Sequence, residues 1–261
     1  MTKPLPHPTH KPSKRAAASS WLRRTAALLL GKKKPEPKPE KAVPVRQARH
    51  VSAPKTRPLA LTKDETALLP PFPGLPPDRI HVPKTKAECE AAAKKILAAG
   101  VAGFDTEAKP TFRAGEKSTG PHVVQFALTD RAYIFQLGND HCLHVAADLI
   151  ASEKVLKVGF GLRNDHGQIR NRLGVKIHSV LDLDHIFKKR GYRGQIGVRA
   201  AMGAVLQQSF PKSKSVTTSN WAAAVLTPRQ LTYAANDAYA ALKIMEALDL
   251  QPNEIHAKRP H

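Results

Sequence analysis

The chain has 261 residues, of which 42 are Lys or Arg and 21 are Asp or Glu, so its formal net charge is +21 at pH 7. This length allows one or two domains. The basic excess favours a polyanionic partner, with nucleic acid ahead of an anionic membrane surface. Because no segment approaches the roughly 18 consecutive apolar residues of a transmembrane helix, the sequence predicts no such helix.

The first 75 residues read as a basic, proline-rich tail of low complexity. Residues 1–60 hold 15 Lys and Arg against two acids, a net of about +13. This composition cannot bury a core, so we expect a disordered tail that adds nonspecific nucleic-acid contact. Residues 16–30 could form a short basic amphipathic helix that touches a membrane, targets an organelle or packs on the body. We assign 79–250 to one folded domain and 251–261 to a short C-terminal tail.

The two cysteines, Cys89 and Cys142, lie far apart in sequence and outside any C-x-x-C spacing. This usage predicts no disulfide framework and favours a reducing intracellular compartment, cytoplasmic, nuclear or nucleoid. The acid-poor, Arg-containing tail leaves organelle targeting open. The twelve His residues are scattered, and none pairs with a cysteine at structural-zinc spacing.

The predicted elements begin with a short strand at 79–82 and a helix at 85–99, which starts at the N-cap candidate Thr85 and stops at Gly100. Further strands are predicted at 101–107, 123–128, 132–137, 155–160 and 176–181. Further helices are predicted at 145–151, 165–173, 182–189, 198–206 and 228–248. Strands that first form hairpins and then alternate with helices indicate one mixed α/β sheet with helices on its faces.

Asp105 and Glu107 end the predicted strand Val101–Glu107. Side chains two apart on a strand share one face, so both carboxylates can reach one metal ion, while Thr106 points the other way. Asp-x-Glu is common by chance, and the alternative is an exposed acidic strand edge. The apolar residues before the pair favour the metal site, because they carry the acids out of a core.

Tyr233 and Asp237 lie four apart on the predicted last helix and therefore share a face. Tyr233 can then stand beside a metal ion that Asp237 helps to bind, or it can be a core aromatic of an Ala-rich helix. Asp165 follows Gly159 and Gly161 at a strand-to-helix turn, where an N-cap role is the alternative to metal binding. Carboxylates brought together from distant segments suit two hard divalent cations.

The order and flanks of these motifs resemble the DEDD superfamily of 3′→5′ exonucleases, in its tyrosine branch. The most similar group is that of the Werner syndrome helicase exonuclease domain and its stand-alone relatives, with ribonuclease D a close cousin. The resemblance covers residues 79–250, and the segments that carry it are 103–107, 124–126, 157–165, 219–221, 226–230 and 233–238. It implies a ribonuclease-H-like fold with a mixed sheet of five to six strands.

The resemblance also implies chemistry: two divalent cations, Mg²⁺ or Mn²⁺, bound by Asp105, Glu107, Asp165 and Asp237, with Tyr233 placing the attacking water. The product would be a nucleoside 5′-monophosphate released from a nucleic-acid 3′ end, with DNA slightly favoured over RNA. The candidate substrate contacts are Phe104, Thr106, Lys212, Lys214 and Trp221. Trp221 has packing as its alternative.

Two other functions compete with the exonuclease. One is a ribonuclease D-like enzyme that processes RNA 3′ ends, and the other is a non-catalytic nucleic-acid-binding protein on the same fold. Loss of any of the four acids would favour the binding protein, and none is lost.

Overall fold

A computed structural model describes residues 58–112, 115–250 and Glu254. The predicted amphipathic helix at 16–30 lies outside these residues, as do most of the basic tail and of the C-terminal tail. Within the described part of the chain, no helix is both long enough and apolar enough to cross a membrane.

Six strands form one mixed sheet, which confirms the predicted fold class. They are β1 (Ile80–His81), β2 (Val101–Glu107), β3 (Val123–Ala127), β4 (Ala132–Gln136), β5 (Leu156–Gly159) and β6 (Val180–Asp182). Their order across the sheet is β1-β4-β3-β2-β5-β6. The pairs β2–β3 and β3–β4 are antiparallel, and the other three pairs are parallel. The central strand β2 pairs with β5 over Val101–Gly103 and with β3 over Gly103–Glu107, so its last four residues have a paired neighbour on one side.

The helices lie on both faces of the sheet. They are α1 (Lys63–Ala67), α2 (Lys86–Ala99), α3 (Asp140–Ala151), α4 (His166–Leu173), α5 (Leu183–Lys189), α6 (Val198–Leu206), α7 (Lys214–Thr217) and α8 (Pro228–Ala247). Two single 3₁₀ turns, Pro77–Arg79 and Leu162–Asn164, precede β1 and α4.

Side-chain caps fix where the long helices begin. The Thr85 hydroxyl accepts a hydrogen bond from the Glu88 N–H, and the Glu88 carboxylate accepts one in return from the Thr85 N–H. Gly100 ends α2 with φ of 70°, a left-handed conformation that glycine adopts without a Cβ penalty. Thr227 and Gln230 form the same reciprocal pair at the start of α8. These local signals are the ones that sequence reasoning can read.

The folded part begins earlier in the chain than residue 79, so the predicted boundary was wrong. The Phe72 N–H donates to the Ser209 carbonyl (2.9 Å), and the Leu75 N–H donates to Asn236 Oδ1 (2.8 Å). Helix α1 packs against α6. Prolines at 70–77 suggested a linker, but here they hold an extended segment against the domain.

Helix α8 lies directly across β2, at a place where the strand has no side chain. A Cβ atom on Gly103 would overlap the Ala238 carbonyl oxygen and would lie 3.2 Å from Leu242 Cβ. The α8 face that meets the sheet is built mainly from alanines, including the buried Ala234 and Ala238. Small residues on both surfaces let the two backbones approach closely, which brings side chains of α8 to the end of β2.

The two cysteines, 53 positions apart in sequence, meet between α2 and α3. Cys89 Sγ and Cys142 Sγ are 3.2 Å apart, both side chains are fully buried, and both are free thiols. Burial raises the pKa of the Cys142 thiol to about 12. A protonated, inaccessible thiol is a poor nucleophile, so this pair is a packing contact.

Candidate active site

Three carboxylates meet where β2 ends beneath α8. One oxygen each from Asp105, Glu107 and Asp237 lies within 4.8 Å of the others. We call these three residues the acid cluster. Asp105 and Glu107 are half-buried on β2, and Asp237 is 5% exposed on α8. The predicted convergence of the first and last motifs is therefore present in the fold.

The two carboxylate oxygens of Asp237 differ in their surroundings. Lys212 Nζ lies 3.2 Å from Asp237 Oδ2. Asp237 Oδ1 is buried and has no hydrogen-bond partner among the described residues. A buried, unpartnered carboxylate oxygen is costly unless a cation or donor completes its coordination.

The acid cluster strongly disfavours its own negative charge. Burial, followed by the charge of Asp237, raises the pKa of Asp105 to about 8. Burial, followed by the charge of Asp105, raises the pKa of Glu107 to about 9. Burial also raises the pKa of Asp237, against the opposing effect of Lys212. A divalent cation would reverse this balance, and three oxygen donors match the preference of Mg²⁺ and Mn²⁺. The acid cluster thus fits a hard divalent ion.

Asp165 lies outside the acid cluster, at the end of the 3₁₀ turn that precedes α4. Burial raises its pKa to about 6, while a hydrogen bond with the Thr106 side chain opposes the shift. Its negative charge still raises the pKa values of Asp105 and Glu107. Asp165 stands at the N-cap position of α4, as the alternative predicted, but its side chain makes no capping hydrogen bond there.

Tyr233 stands one helical turn before Asp237, with its hydroxyl 2.9 Å from Thr217 Oγ1. Lys212 Nζ lies 5.9 Å from the centre of its ring. Burial raises the pKa of Tyr233 to about 12. The phenol therefore stays protonated near neutral pH and can donate a hydrogen bond.

The candidate substrate contacts separate into two groups. Phe104 is a fully buried residue of β2. Trp221 is 1% exposed, and its indole N–H donates a hydrogen bond to the Thr217 carbonyl. Neither ring offers a face for stacking on a base, so for Trp221 the packing alternative is the correct one. Lys212 and Lys214 are exposed, and Thr106 is half-buried. Lys212 alone of the two lysines is paired with an acid of the cluster.

Sequence reasoning missed two polar residues at the site. Thr217 orients the Tyr233 hydroxyl, and no spacing rule connects the two positions. Gln125 lies on β3 directly opposite Asp105, and both polar atoms of its buried amide lack hydrogen-bond partners. A glutamine within the apolar run Val123–Ala127 was the available signal for this second residue.

The described residues form a cleft of about 210 Å³ beside the acid cluster, lined in part by Asp105, Lys212 and Asp237. Gln195 and Ile196 also line this cleft. The cleft gives a small ligand direct access to carboxylates that are otherwise buried. The site therefore combines access from outside, oxygen donors and a protonated phenol.

Comparison with known proteins points to the same class of enzyme as the acid cluster does, a metal-dependent nuclease. Residues 80–252, more than half of the chain, match the family model described as 3′-5′ exonuclease. The chain is 26% identical over 162 residues to the Mus musculus bifunctional 3′-5′ exonuclease/ATP-dependent helicase WRN. The aligned region covers 61% of this chain and 12% of that protein. It is 27% identical over 192 residues to an Arabidopsis thaliana 3′-5′ exonuclease, and this aligned region covers 68% of this chain and 66% of that protein.

Among solved structures, Trypanosoma brucei RNase D in complex with RNA U12 superposes with a TM-score of 0.58 at 21% identity, over 66% of this chain and 63% of that one. This likeness establishes the fold, and it confirms the ribonuclease-H-like architecture that the sequence resemblance implied. The match to the family model, over residues that include the acid cluster, decides the assignment. The chain belongs to the 3′-5′ exonuclease family.

Proposed function

We propose that this chain hydrolyses nucleic acid from the 3′ end and releases nucleoside 5′-monophosphates, with the help of two divalent cations. The observation that carries the proposal is the acid cluster, whose three oxygens lie within 4.8 Å of one another and two of whose members, Asp105 and Asp237, line a cleft. The match spans 12% of the length of the WRN relative and 66% of that of the Arabidopsis exonuclease.

Asp105, Glu107 and Asp237 would hold one cation, and Asp105 with Asp165 would hold the second. The unpartnered Asp237 Oδ1 and the mutual repulsion of the acids support this assignment. Bound divalent cations supply Lewis-acid activation of water and stabilisation of the phosphate oxygens. With Mg²⁺ and Mn²⁺ both suited to oxygen donors, we propose either as the cofactor.

The protein's own side chains place the reactants. Tyr233 donates its phenolic hydrogen bond toward the attacking water, and Thr217 fixes the hydroxyl's direction. Lys212 places a positive charge beside the acid cluster, where it can contact the phosphate of the terminal nucleotide. Lys214 and Thr106 are proposed as weaker contacts to the same nucleotide. On this basis we propose that the site is of the type found in the tyrosine branch of the DEDD superfamily.

DNA is the first expected substrate and RNA is the second. The RNA alternative is favoured by the fold that this chain shares with an RNase D crystallised with RNA U12. The test is degradation of 5′-labelled single-stranded DNA, RNA and recessed duplexes with Mg²⁺, Mn²⁺ or EDTA. We expect metal-dependent products that are shortened stepwise from the 3′ end. The strand that is degraded faster identifies the preferred substrate. Tight binding of every strand without cleavage would instead identify a non-catalytic binding protein.

Tyr233→Phe should lower kcat about 10- to 100-fold, because a positioned hydrogen-bond donor near the reaction contributes on this scale. Binding of the strand should change little, since the ring and its packing are kept. The matched control is Tyr239→Phe on the same helix, whose hydroxyl donates to the Thr129 carbonyl instead. Equal cleavage rates for the two variants in single-turnover assays would show that the Tyr233 hydroxyl takes no part in the reaction.

The basic tail is proposed to add nonspecific contact with the strand. Deletion of residues 1–57 should weaken binding and reduce the slope of log affinity against log salt, because fewer counterions are released. The turnover rate at saturating substrate should be retained, since the acid cluster lies in the remaining chain. An unchanged salt slope would assign the tail another role.

A further inference from the structure

A second groove, which we call the basic groove, opens next to the active-site cleft. Its volume is about 870 Å³, and its lining includes Arg163, Lys188 and Arg193. Gln195 lines both the basic groove and the cleft that holds Asp105 and Asp237. The two depressions are therefore neighbours, with a single side chain shared between them.

The cations of the basic groove are available to a ligand, whereas its acids are already engaged. Asp182 Oδ1 accepts hydrogen bonds from the N–H groups of Gly161 (3.0 Å) and Asp184 (3.2 Å). Asp184 Oδ1 accepts one from the Ile196 N–H (2.9 Å). Among the described residues, no carboxylate lies within ion-pairing distance of the three basic side chains. The groove thus carries three basic side chains without ion-pair partners in the described part of the chain and two carboxylates that accept backbone hydrogen bonds, a net positive lining.

Other basic residues nearby are not available in this way. Arg190 donates to the Glu254 carboxylate at 2.9 Å and to the Leu248 carbonyl at 3.0 Å. Arg172 donates to the Leu137 carbonyl at 3.0 Å. In the sequence all of these residues look alike, as scattered positive charges between 163 and 193. The fold separates those that hold the domain together from those that face an open groove.

Left-handed glycines shape the walls of the basic groove. Gly191 and Gly194, with φ values of 92° and 75°, flank the loop segment that carries Arg193 along the groove. Gly161, with φ of 66°, faces the side chains of Asn164 and Gln195 without adding one of its own. Apart from Tyr192, the residues that line the groove are charged, polar or glycine, which suits contact with a phosphodiester backbone.

We propose that the basic groove binds the backbone phosphates of the substrate strand on the 5′ side of the nucleotide being removed. This inference rests on the proposed function, which puts the 3′-terminal nucleotide at the acid cluster. The strand then leaves the cleft past Gln195 and passes Arg163, Lys188 and Arg193. The contacts are to phosphates, so binding here is independent of base sequence and sensitive to salt.

The test compares the triple variant Arg163→Gln/Lys188→Gln/Arg193→Gln with the control Lys94→Gln/Lys95→Gln/Lys154→Gln, both in the full chain. The control removes the same charge from exposed positions on α2 and the turn after α3. Fluorescence anisotropy with 5′-labelled 12-nucleotide DNA and RNA in EDTA gives affinity across a salt series. Cleavage of a dinucleotide, which is too short to enter the basic groove, is measured with Mg²⁺ and with Mn²⁺.

We expect the groove variant to bind the 12-nucleotide strand about 10- to 100-fold more weakly than the control at low salt. Its salt slope should fall by about 2, from three phosphate contacts at about 0.7 each. Dinucleotide cleavage should stay within about twofold of the unmodified chain. Equal salt slopes for the two variants, or a matching loss of dinucleotide cleavage, would overturn the inference. If the unmodified chain cleaves neither length, the proposed function fails instead.

Discussion

Asp105→Asn is expected to reduce mononucleotide release by about 10³-fold or more, while the protein still binds the strand. Asp105 is the residue proposed to hold both cations, and its replacement removes a negative charge that they require. Asn is the conservative choice because its Oδ1 can still accept the hydrogen bond from the Thr106 N–H, which is 2.8 Å long. Single-turnover cleavage and anisotropy binding, run side by side, separate chemistry from affinity.

The same substitution should make the metal-free protein more stable. In EDTA burial and, after it, mutual repulsion disfavour the charged carboxylates, so one carboxyl group fewer should raise the free energy of unfolding by about 1–2 kcal/mol. In excess Mg²⁺ or Mn²⁺ the order should reverse, because the intact site gains stability from binding the ion. Urea denaturation under both conditions measures the two differences.

Asp148→Asn is the matched control, since Asp148 is exposed on α3 and distant in sequence from every acid of the cluster. It should leave cleavage and both stabilities nearly unchanged. If Asp105→Asn retained more than about a tenth of the cleavage rate, Asp105 could not be a ligand that the reaction needs. A loss of stability in EDTA would contradict the repulsion among the three acids.

Gly103→Ala is expected to destabilise the domain by about 3 kcal/mol or more, because overpacking at this contact cannot be relieved by a flexible side chain. The added methyl group would overlap the Ala238 carbonyl oxygen, so α8 would have to move away from β2. The same displacement would separate Asp237 from Asp105 and Glu107. Cleavage should therefore fall even in conditions where the variant remains folded.

Gly167→Ala is the matched control for this prediction. Gly167 lies in α4, and a Cβ added there would meet nothing within 4 Å. Because alanine favours a helix over glycine, this variant should gain about 0.5–1 kcal/mol. Chemical denaturation followed by circular dichroism measures both variants. Similar stability changes for the two would mean that α8 does not depend on close approach at Gly103.

Local sequence signals predicted the elements that surround the site. The strand Val101–Glu107 and the helix Val198–Leu206 have the bounds that the sequence predicted. Thr85 and Thr227 mark helix starts through hydrogen bonds that span only three residues. In each case the interactions that define the element lie within it or next to it.

Predictions that depended on distant contacts were less successful. The predicted strand at 176–181 shrinks to Val180–Asp182, because only three residues pair with β5. Helix α1 and its extended continuation were assigned to a tail, although they pack on α6 and bond to Ser209 and Asn236. Phe104 was offered as a substrate contact and is instead core. Composition cannot reveal such partners, and those of α1 and its continuation lie more than a hundred residues away in the chain.

By itself, the sequence determined the spacing of Asp105 with Glu107 and of Tyr233 with Asp237, because strand and helix periodicity put each pair on one face. It also determined the charge of the chain and the motif order by which the family is recognised. Only the tertiary structure decided that α8 crosses β2 closely enough to bring three carboxylates within 4.8 Å. It also decided which cations are engaged and which face an open groove. The physical reason is that burial and charge neutralisation are set by neighbours in space, which periodicity along the chain does not specify.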